Sequence, residues 1–382
     1  MASRSLSDNA MAETPSFSPA SCPRLIVKVG SSLLVTPEGE VRRDWLAALA
    51  ADIADAVRGG QQVAIVSSGA IALGARRLKL TKGGRASLED AQAAAATGQI
   101  ALSQVWAECL GAEGLTAAQM LVTLDDLEDR RRYLNAAATL GRLLGLGVVP
   151  VINENDSVAT EEIRFGDNDR LAARVAQAAG AQGVLLLSDI DGLYDRDPSQ
   201  PGAILIERVP RIDAAIEAMA GGSRSGMGSG GMISKIQAAR IATRAGIALA
   251  IATGRIDHPF ARYVATGHGT LFPAQRSAPA RKAWLGGRLT VRGVVHIDAG
   301  AVAALQEGKS LLPAGATRIE GVFARGDLIA IAGPDGVIAN GLAEYDSTDA
   351  ARIAGRRSDA AAMILGYAPR AALVHRNHMV LA

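Results

Sequence analysis

The stretch Arg24-Leu-Ile-Val-Lys-Val-Gly-Ser-Ser32 decides the fold of this chain. Its apolar residues form one short run, which predicts a buried β-strand over 25–29. Glycine and serine follow directly, and glycine lets a backbone turn tightly and approach a ligand closely. Lys28 brings a positive charge to the same end of the strand. The stretch therefore predicts a buried strand that ends in an anion-binding loop.

The same arrangement returns three times further along the chain. Apolar runs are followed at once by polar loops, namely Ser67-Ser-Gly-Ala70, Asn153-Glu-Asn-Asp156 and Ser188-Asp-Ile-Asp-Gly192. Segments with helical spacing separate the runs, at 44–58, 88–110 and 126–144. Apolar strands separated by helices predict a parallel sheet covered on both faces, with ligands beyond the carboxyl ends of its strands. We therefore expect these loops to build one site at one edge of one sheet.

A second anion-binding element is the glycine-rich stretch Ser-Arg-Ser-Gly-Met-Gly-Ser-Gly-Gly-Met-Ile-Ser-Lys over residues 223–235. A helix predicted to begin just after its glycines points the positive end of its dipole at a bound anion. Lys235 adds a full charge on the first turn of that helix. Two separate elements of this kind predict a chain that moves phosphoryl groups, since such transfer depends on positioning and on cations.

Asp169 stands in the run Gly166-Asp-Asn-Asp169, just before a predicted helix over 170–178. Asp and Asn are common helix caps, but a cap explains only one acidic residue. We predict that Asp169 holds the ammonium groups of Lys28 and Lys235 in place. Mg²⁺ is expected as a cofactor bound mainly by nucleotide phosphates and water, and no metal ligands from the protein are predicted.

Composition narrows the functional classes. The 382 residues are enough for two domains; 49% of them are hydrophobic, and the formal net charge is only +2. Such a charge excludes a global field that recruits nucleic acid or membrane, and no apolar run is long enough to cross a bilayer. Cys22 and Cys109 are too few for a disulfide framework and fit a reducing cytoplasm.

Changes in composition divide the chain. Residues 1–23 are rich in Ser, Ala and Pro and are predicted to be a disordered tail. The alternating pattern covers 24–274, a linker covers 275–287, and 288–382 is predicted to be a small β-rich domain. The strands predicted there are 288–291, 294–297, 318–322, 328–331 and 337–341.

Two groups of charged or titratable residues are predicted to have no catalytic role. His375 and His378 lack further metal ligands, so a surface pair is expected rather than a metal site. The run Arg130-Arg-Arg132 is predicted to be a solvated helix face, with an interface or anion-binding role as the alternative.

In this order, the motifs resemble the amino acid kinase family over nearly the whole chain from about residue 24. The resemblance rests on the loops quoted above, on Phe165-Gly-Asp-Asn-Asp169 and on the glycine-rich stretch. The β-rich segment resembles a PUA domain, and this combination is typical of family members that phosphorylate L-glutamate in the first step of proline biosynthesis. The resemblance implies an α/β fold, namely an open αβα sandwich with a mostly parallel central sheet, followed by a small β-rich PUA-like barrel domain.

The resemblance also implies roles for individual residues. Lys28 and Lys235 would stabilise the transferred phosphoryl group, and Asp169 would organise both lysines. Glutamate would be bound by Ser68, Asp156 and Asn168. ATP would contact Lys28, Ser188, Asp189, Ser229, Gly230, Gly231, Met232, Ile233, Ser234 and Lys235. The family uses Mg²⁺, is often inhibited by proline, which is expected to compete near the glutamate pocket, and usually forms homodimers or homotetramers.

Two alternatives stay open. The chain is another member of the family with a different acceptor, or it is an RNA-binding or RNA-modifying protein that acts through the β-rich domain. The near-neutral charge and the lack of an aromatic stacking platform speak against the second alternative. In its favour, a local basic face would be formed by Arg318, Arg325, Arg352, Arg356 and Arg357.

Overall fold

The computed structural model describes residues 17–36, 38–158, 168–221, 231–275, 290–370 and 372–381. The strands of its first sheet are β1 (Arg24–Val29), β2 (Gln62–Val66), β3 (Ala117–Val122), β4 (Val149–Glu154), β5 (Gly183–Ser188), β6 (Ala248–Thr253) and β7 (Thr270–Phe272). They line up in the order β3-β4-β2-β1-β5-β6-β7. Each neighbouring pair is parallel except β6 and β7, which are antiparallel. The prediction of a mostly parallel sheet is therefore confirmed.

Helices cover both faces of this sheet. They are α1 (Ser31–Leu34), α2 (Arg43–Arg58), α3 (Ala70–Arg77), α4 (Leu88–Ala112), α5 (Leu124–Glu128), α6 (Arg130–Gly145), α7 (Asn168–Ala179), α8 (Ala214–Gly221), α9 (Met232–Arg244) and α10 (Pro259–Thr266), with 3₁₀ turns at Thr81–Gly84 and Asp156–Val158. Side chains alternate along a strand, so Leu25 and Val27 of β1 enter the core beneath α2, α4 and α10, whereas Ile26 enters the core beneath α6, α7 and α9. The two cores make the first domain the predicted αβα sandwich.

Two glycines bring α3 and α4 into close contact beside the sheet. A Cβ atom on Gly74 would lie 1.8 Å from the carbonyl oxygen of Ala94, and one on Gly98 would lie 1.8 Å from that of Ala70. Because no side chain fits into such a space, both positions require glycine. The pairing holds α4 next to the loop that follows β2, so side chains of α4 reach the carboxyl edge of the sheet.

The second domain is built on a five-stranded sheet. Its strands are β8 (Gly293–Ile297), β9 (Ala316–Gly321), β10 (Leu328–Gly333), β11 (Gly336–Leu342) and β12 (Met379–Leu381), in the order β12-β11-β10-β8-β9. The pair β8 and β10 is parallel, whereas the other described pairs are antiparallel. Around this sheet lie α11 (Ala299–Gln306), α12 (Ser347–Ile353) and α13 (Ser358–Leu365), with 3₁₀ turns at Pro313–Gly315 and Arg376–His378. The predicted β-rich C-terminal domain is therefore confirmed, and it has a hydrophobic core of its own.

The two domains pack against each other along α6. Tyr133 of α6 meets the ring of His378 edge-on, with the ring centroids 5.5 Å apart. His378 is only 6% exposed, so the predicted surface pair is wrong for this residue, because the first domain covers it. Arg131 Nε donates to the carbonyl oxygen of Arg325 at 3.2 Å. Arg131 thus takes the interface role that the sequence left as an alternative.

The chain begins to pack before the predicted end of the tail. Phe17 and Cys22 are each 1% exposed and belong to the core that contains Leu25. Gln61 Nε2 donates to the carbonyl oxygens of both residues, at 3.0 Å and 2.6 Å. The prediction of disorder is therefore wrong for residues 17–23, since apolar burial and two hydrogen bonds hold them. Residues 1–16 lie outside the described part of the chain.

Three predicted elements differ in their limits. The helix predicted over 126–144 is divided into α5 and α6, because the backbone of Asp129 is extended and its side chain caps α6 through the amide of Arg132. β4 runs to Glu154, so Asn153 lies inside the strand and not in the loop after it. Residues 290–291, the described part of the strand predicted over 288–291, are exposed and form no strand, because pairing starts only at Gly293.

None of the helices in the described ranges is long and apolar enough to cross a membrane.

Candidate active site

The centre of the candidate site is one buried carboxylate held between two lysines. Lys28 lies near the end of β1, Asp169 in the first turn of α7, and Lys235 in the first turn of α9. Lys28 Nζ lies 2.6 Å from Asp169 Oδ1, and Lys235 Nζ donates to Asp169 Oδ2 at 3.0 Å. The structure therefore brings together three residues that are far apart in the sequence, in the arrangement that the sequence predicts.

The charges of this group are strongly coupled. Burial alone would raise the pKa of the Asp169 carboxyl, but the positive charges of Lys28 and Lys235 outweigh burial and hold that pKa below its usual value. Asp169 is 1% exposed, and the two lysines are 6% exposed each. Two formal positive charges and one negative charge leave one net positive charge in a largely buried place. A buried net charge is costly unless an opposite charge compensates it, so the group is suited to an anionic ligand.

A second polar group lies next to the lysines, at the ends of β2 and β4. Asn168 Nδ2 lies 2.7 Å from the carbonyl oxygen of Ser67, 2.9 Å from Ser68 Oγ and 2.9 Å from Asn153 Oδ1. Asn168 is 4% exposed and Asp156 is 9% exposed. Burial raises the pKa of the Asp156 carboxyl to about 6. The predicted acceptor residues Ser68, Asp156 and Asn168 therefore line one corner of the site, with hydroxyl, carboxyl and amide groups available.

Two side chains of α4 support this corner, and the sequence analysis missed both. Gln99 Oε1 accepts from Asn153 Nδ2 at 2.8 Å. Trp106 Nε1 donates to Ser67 Oγ at 2.9 Å, with both atoms buried. The two residues are two helical turns apart and so share one face of α4. The sequence does show a polar and an aromatic residue seven positions apart in an alanine-rich helix, which indicates a shared face. It does not show which residues they contact, because those residues lie far away in the sequence.

The predicted nucleotide residues form the other side of the site. Ser188 is the last residue of β5, and its Oγ donates to Asp189 Oδ1 at 3.2 Å. Gly231 precedes α9 with an extended backbone and, being glycine, offers no side chain to cap this helix. Met232 is partly buried, Ile233 is 54% exposed, and Ser234 Oγ donates to Asp169 Oδ2 at 3.5 Å. Ser229 and Gly230 lie outside the described residues.

One cleft joins these groups. Its described lining includes most of the predicted catalytic, acceptor and nucleotide residues, namely Lys28, Ser68, Asp156, Asn168, Ser188, Asp189 and Lys235. Asp169 lies beneath it and contacts it through the lysines. Arg85 also lines the cleft. This exposed cation was missed because it stands alone beside a turn, in no recognisable motif.

The cleft offers few direct metal ligands. Among the described residues, no group of three or more His, Cys, Asp and Glu side chains is able to hold an ion. The carboxylates that line the cleft are Asp156, which is buried, and Asp189, whose side chain is 55% exposed. Mg²⁺ that arrives with nucleotide phosphates needs only one or two carboxylates from the protein. The described donor set therefore fits an ion carried by a nucleotide.

Fold and cleft together define the class: an α/β protein with two lysines and a buried carboxylate at a cleft on the carboxyl edge of a parallel sheet. The model of the amino acid kinase family matches residues 23–253, and the model of the PUA domain matches residues 293–365. The chain belongs to the amino acid kinase family.

Individual proteins are similar over nearly the whole chain. Glutamate 5-kinase of Sphingopyxis alaskensis is 74% identical, over 96% of this chain and 99% of that protein. Glutamate 5-kinase of Novosphingobium aromaticivorans is 64% identical, over 95% of this chain and 97% of that protein. Among solved structures, isopentenyl phosphate kinase is 18% identical and aligns with a TM-score of 0.45, covering 65% of this chain and 99% of that one.

Proposed function

We propose that this chain transfers the γ-phosphoryl group of ATP to the γ-carboxylate of L-glutamate, forming L-glutamyl 5-phosphate in the first step of proline biosynthesis. The observation that carries the proposal is the carboxylate of Asp169, which holds the ammonium groups of Lys28 and Lys235 in one cleft. The name glutamate 5-kinase, borne by relatives that match almost the full chain, supports the choice of acceptor.

The acceptor needs no general base. A carboxylate is already ionised at neutral pH, so its oxygen attacks phosphorus directly. Consistent with this, no histidine is among the described residues that line the cleft. The protein has to align the two substrates and to stabilise the charge that develops on the phosphoryl oxygens. Lys28 and Lys235 supply that stabilisation, and Asp169 fixes the distance between their ammonium groups.

Ser68, Asp156 and Asn168 hold the amino acid. The carboxylate of Asp156 attracts the α-ammonium group of glutamate, and the amide oxygen of Asn168 accepts from that group, while Ser68 Oγ offers a hydrogen bond to a substrate oxygen. This division explains why one corner of the cleft carries a carboxylate and the other carries lysines: the substrate is positive at one end and reacts with a polyanion at the other.

Ser188, Asp189 and residues 229–235 hold the nucleotide. The first turn of α9 presents backbone amides and the positive end of the helix dipole to phosphate oxygens. Mg²⁺, when bound, neutralises negative charge on the phosphates, and the exposed carboxylate of Asp189 is the group on this side that would hold it.

Regulation and assembly are part of the same proposal. Proline competes with glutamate, because both present a carboxylate and a cationic nitrogen to the corner formed by Ser68, Asp156 and Asn168. The protein acts in the cytoplasm as a homodimer or homotetramer. Inhibition kinetics at varied glutamate concentration and light scattering of the purified chain test these two statements.

The decisive experiment is an acceptor panel with the full chain, ATP and Mg²⁺. We expect ADP release with L-glutamate, and trapping of the acyl phosphate by hydroxylamine as a hydroxamate. Aspartate, carbamate and uridylate are the comparison acceptors. Turnover of one of these without turnover of glutamate would show that glutamate is not the acceptor, while the assignment as a kinase would stand.

The alternative of RNA binding through the second domain is weakened by its arginines. Arg318 Nη2 donates to Glu320 Oε2 at 3.0 Å, and Arg352 Nη1 donates to Asp349 Oδ1 at 3.1 Å. Arg325 faces the other domain, where its Nη1 donates to Asn135 Oδ1 at 2.6 Å. The domain interface therefore takes Arg325 away from the local basic face predicted from the sequence, while Arg318 and Arg352 each pair with a neighbouring carboxylate.

A further inference from the structure

Two buried tryptophans connect the helical layer on one face of the sheet to its carboxyl edge. Trp45 of α2 is 9% exposed and Trp106 of α4 is 0% exposed. Both belong to the hydrophobic core beneath α2, α4 and α10. Each uses its indole N–H, the one polar group of the side chain, to bind an atom of a different loop at the sheet edge.

The indole of Trp45 holds the loop that follows β6. Trp45 Nε1 lies 2.7 Å from the carbonyl oxygen of Gly254 and 3.1 Å from that of Ile256. The amide of Gly254 in turn donates to the carbonyl oxygen of Ser188 at 2.7 Å. A short hydrogen-bonded chain therefore runs from α2 to the end of β5, where the proposed nucleotide contacts begin.

Gly254 also lies close to α1, the helical turn that follows β1 and Lys28. A Cβ atom at Gly254 would lie 2.3 Å from Cδ1 of Leu33 in α1. The absence of a side chain at Gly254 lets this loop pack closely against the first turn of chain after β1. The position of Gly254 is therefore coupled to both sides of the nucleotide half of the cleft.

Asp52, two turns after Trp45 on α2, anchors the same loop at its far end. Asp52 Oδ2 accepts from the amide of Ala261 at 3.1 Å, and Asp52 Oδ1 lies 2.7 Å from His258 Nδ1. The backbone of His258 is left-handed, with φ of 52°, a conformation that an L-residue adopts only when its surroundings hold it. α2 thus restrains residues 254–261 at several points.

Trp106 acts on the other half of the cleft. Its indole donates to Ser67 Oγ, and the carbonyl oxygen of Ser67 accepts from Asn168 Nδ2 at 2.7 Å. Asn168 is a proposed acceptor-binding residue, so α4 reaches the glutamate corner through Ser67. In the described part of the chain, the indole hydrogen bond of Trp106 leads to Ser67 and not to Ser188 or Gly254.

We propose that Trp45 is a positioning residue for the nucleotide half of the cleft and Trp106 a positioning residue for the acceptor half, and that each acts through its indole N–H. The proposal rests on the proposed function for its assignment of the two halves. The physical reason is that loss of an indole donor leaves a buried acceptor unpaired, so the loop shifts to find another partner while the sheet stays in place.

The test compares Trp45→Phe with Trp106→Phe in the full chain. Each change removes the N–H and keeps an aromatic ring in the core. We expect Trp45→Phe to raise KM for ATP roughly 5- to 30-fold, the range of one lost buried hydrogen bond, with KM for glutamate changed by less than about twofold. For Trp106→Phe we expect KM for glutamate to rise by a similar factor, with KM for ATP changed by less than about twofold. General loosening of the core would instead raise both KM values together, and that outcome, or no change in either, overturns the proposal.

Two further variants on α2 keep the test informative if an indole variant fails to fold. Asp52→Asn keeps an oxygen for the amide of Ala261 but removes the charge opposite His258, and we expect it to raise KM for ATP alone. Asp55→Asn is the matched control on the same helix, since its side chain is 80% exposed and pairs only with Arg58 among the described contacts. It should leave both KM values unchanged; a shift in KM for ATP as large as that of Asp52→Asn would overturn the assigned role of Asp52.

Direct binding separates this inference from the proposed function. Calorimetry with ATP alone measures the nucleotide half without any acceptor. If the wild-type protein binds ATP but does not turn over glutamate, only the proposed acceptor is rejected. Equal ATP affinity of wild type and Trp45→Phe would reject the positioning role of Trp45, whatever the acceptor is.

Discussion

Two buried carboxylates in this protein sit among cations, but in very different places. Asp169 lies between Lys28 and Lys235 at the edge of the first sheet, with contacts of 2.6 Å and 3.0 Å. Glu344 lies at the domain interface near Arg325 and Arg370, with contacts of 3.7 Å each, and 3.3 Å from His378. Their exposed side-chain fractions are 1% and 10%.

The comparison shows what separates a site from a structural ion pair. Both groups combine one carboxylate with two strong cations, so charge composition alone does not distinguish them. The difference is that Lys28 and Lys235 line an open cleft with other polar strand ends. Arg325 instead contacts Asn135 of the first domain, and Arg370 pairs with Glu344 inside the second domain. The cleft makes the net positive charge available to a ligand, and the short contacts fix the spacing of the two ammonium groups.

The largest expected effect is on stability. Asp169→Asn leaves two nearly buried ammonium groups without a counter-charge and should lower the free energy of unfolding by about 3–5 kcal/mol. Glu344→Gln should cost about 1 kcal/mol, because its cations are partly exposed and its contacts are longer. Urea unfolding of both variants checks this order, and an equal loss in the two would show that contact length and exposure do not separate the groups.

The next effect is on catalysis. Lys28→Ala and Lys235→Ala should each lower kcat about 10²- to 10³-fold, the effect of one lost donor to a developing negative charge, with little change in KM for glutamate. Arg370→Ala is the control from the interface group and should keep kcat near the wild-type value. Steady-state rates at saturating ATP measure all three; a kcat within a few-fold of wild type for either lysine variant would contradict the proposed site.

A third effect appears on changing pH and concerns the acceptor corner. The pKa of Asp156 is raised to about 6 by burial, so this carboxyl becomes neutral as the pH falls through that value and no longer attracts the ammonium group of glutamate. We expect kcat/KM for glutamate to fall about tenfold per pH unit below pH 6. The variant Asp156→Asn should be weakly active with no such fall, and a persistent fall in that variant would assign the titration to another group.

The smallest effect concerns the pair of the exposed His258 and the buried Asp52. A hydrogen bond and the negative charge of Asp52 raise the pKa of His258 above its ordinary value. A raised histidine pKa adds stability that is complete below the unfolded pKa and is lost as the pH rises through the folded value. The unfolding midpoint of His258→Gln should therefore lie further below that of wild type at pH 5.5 than at pH 9. A difference that does not depend on pH would mean that only packing is involved.

The polar residues at the strand ends were predictable from the local sequence. The side chains that hold them in place were not. Lys28, Ser68 and Ser188 each follow an apolar run, and the carboxyl ends of parallel strands meet at one edge. Gln99 and Trp106 lie within a helix whose local pattern gives no information about which strand it covers. Their contacts with Asn153 and Ser67 depend on the close packing of α3 and α4, which is a feature of the tertiary structure.

Errors in the sequence analysis have the same origin. Phe17 lies in a stretch with the composition of a disordered tail, but a core formed by residues far along the chain buries it. His378 looks like a surface residue until the first domain covers it through Tyr133. Arg325 looks like part of a basic face, and only the arrangement of the two domains turns it toward Asn135.

The sequence by itself determined the αβα class, the separate β-rich domain, and the family of polar loops at the strand ends, because apolar periodicity and turn chemistry act over a few residues. Only the tertiary structure decided that Asp169 contacts both lysines at once, that α2 and α4 reach different halves of the cleft, and that the second domain covers α6. Those contacts join residues up to roughly two hundred positions apart, and pairings at such separations are set by how helices and sheet pack in three dimensions.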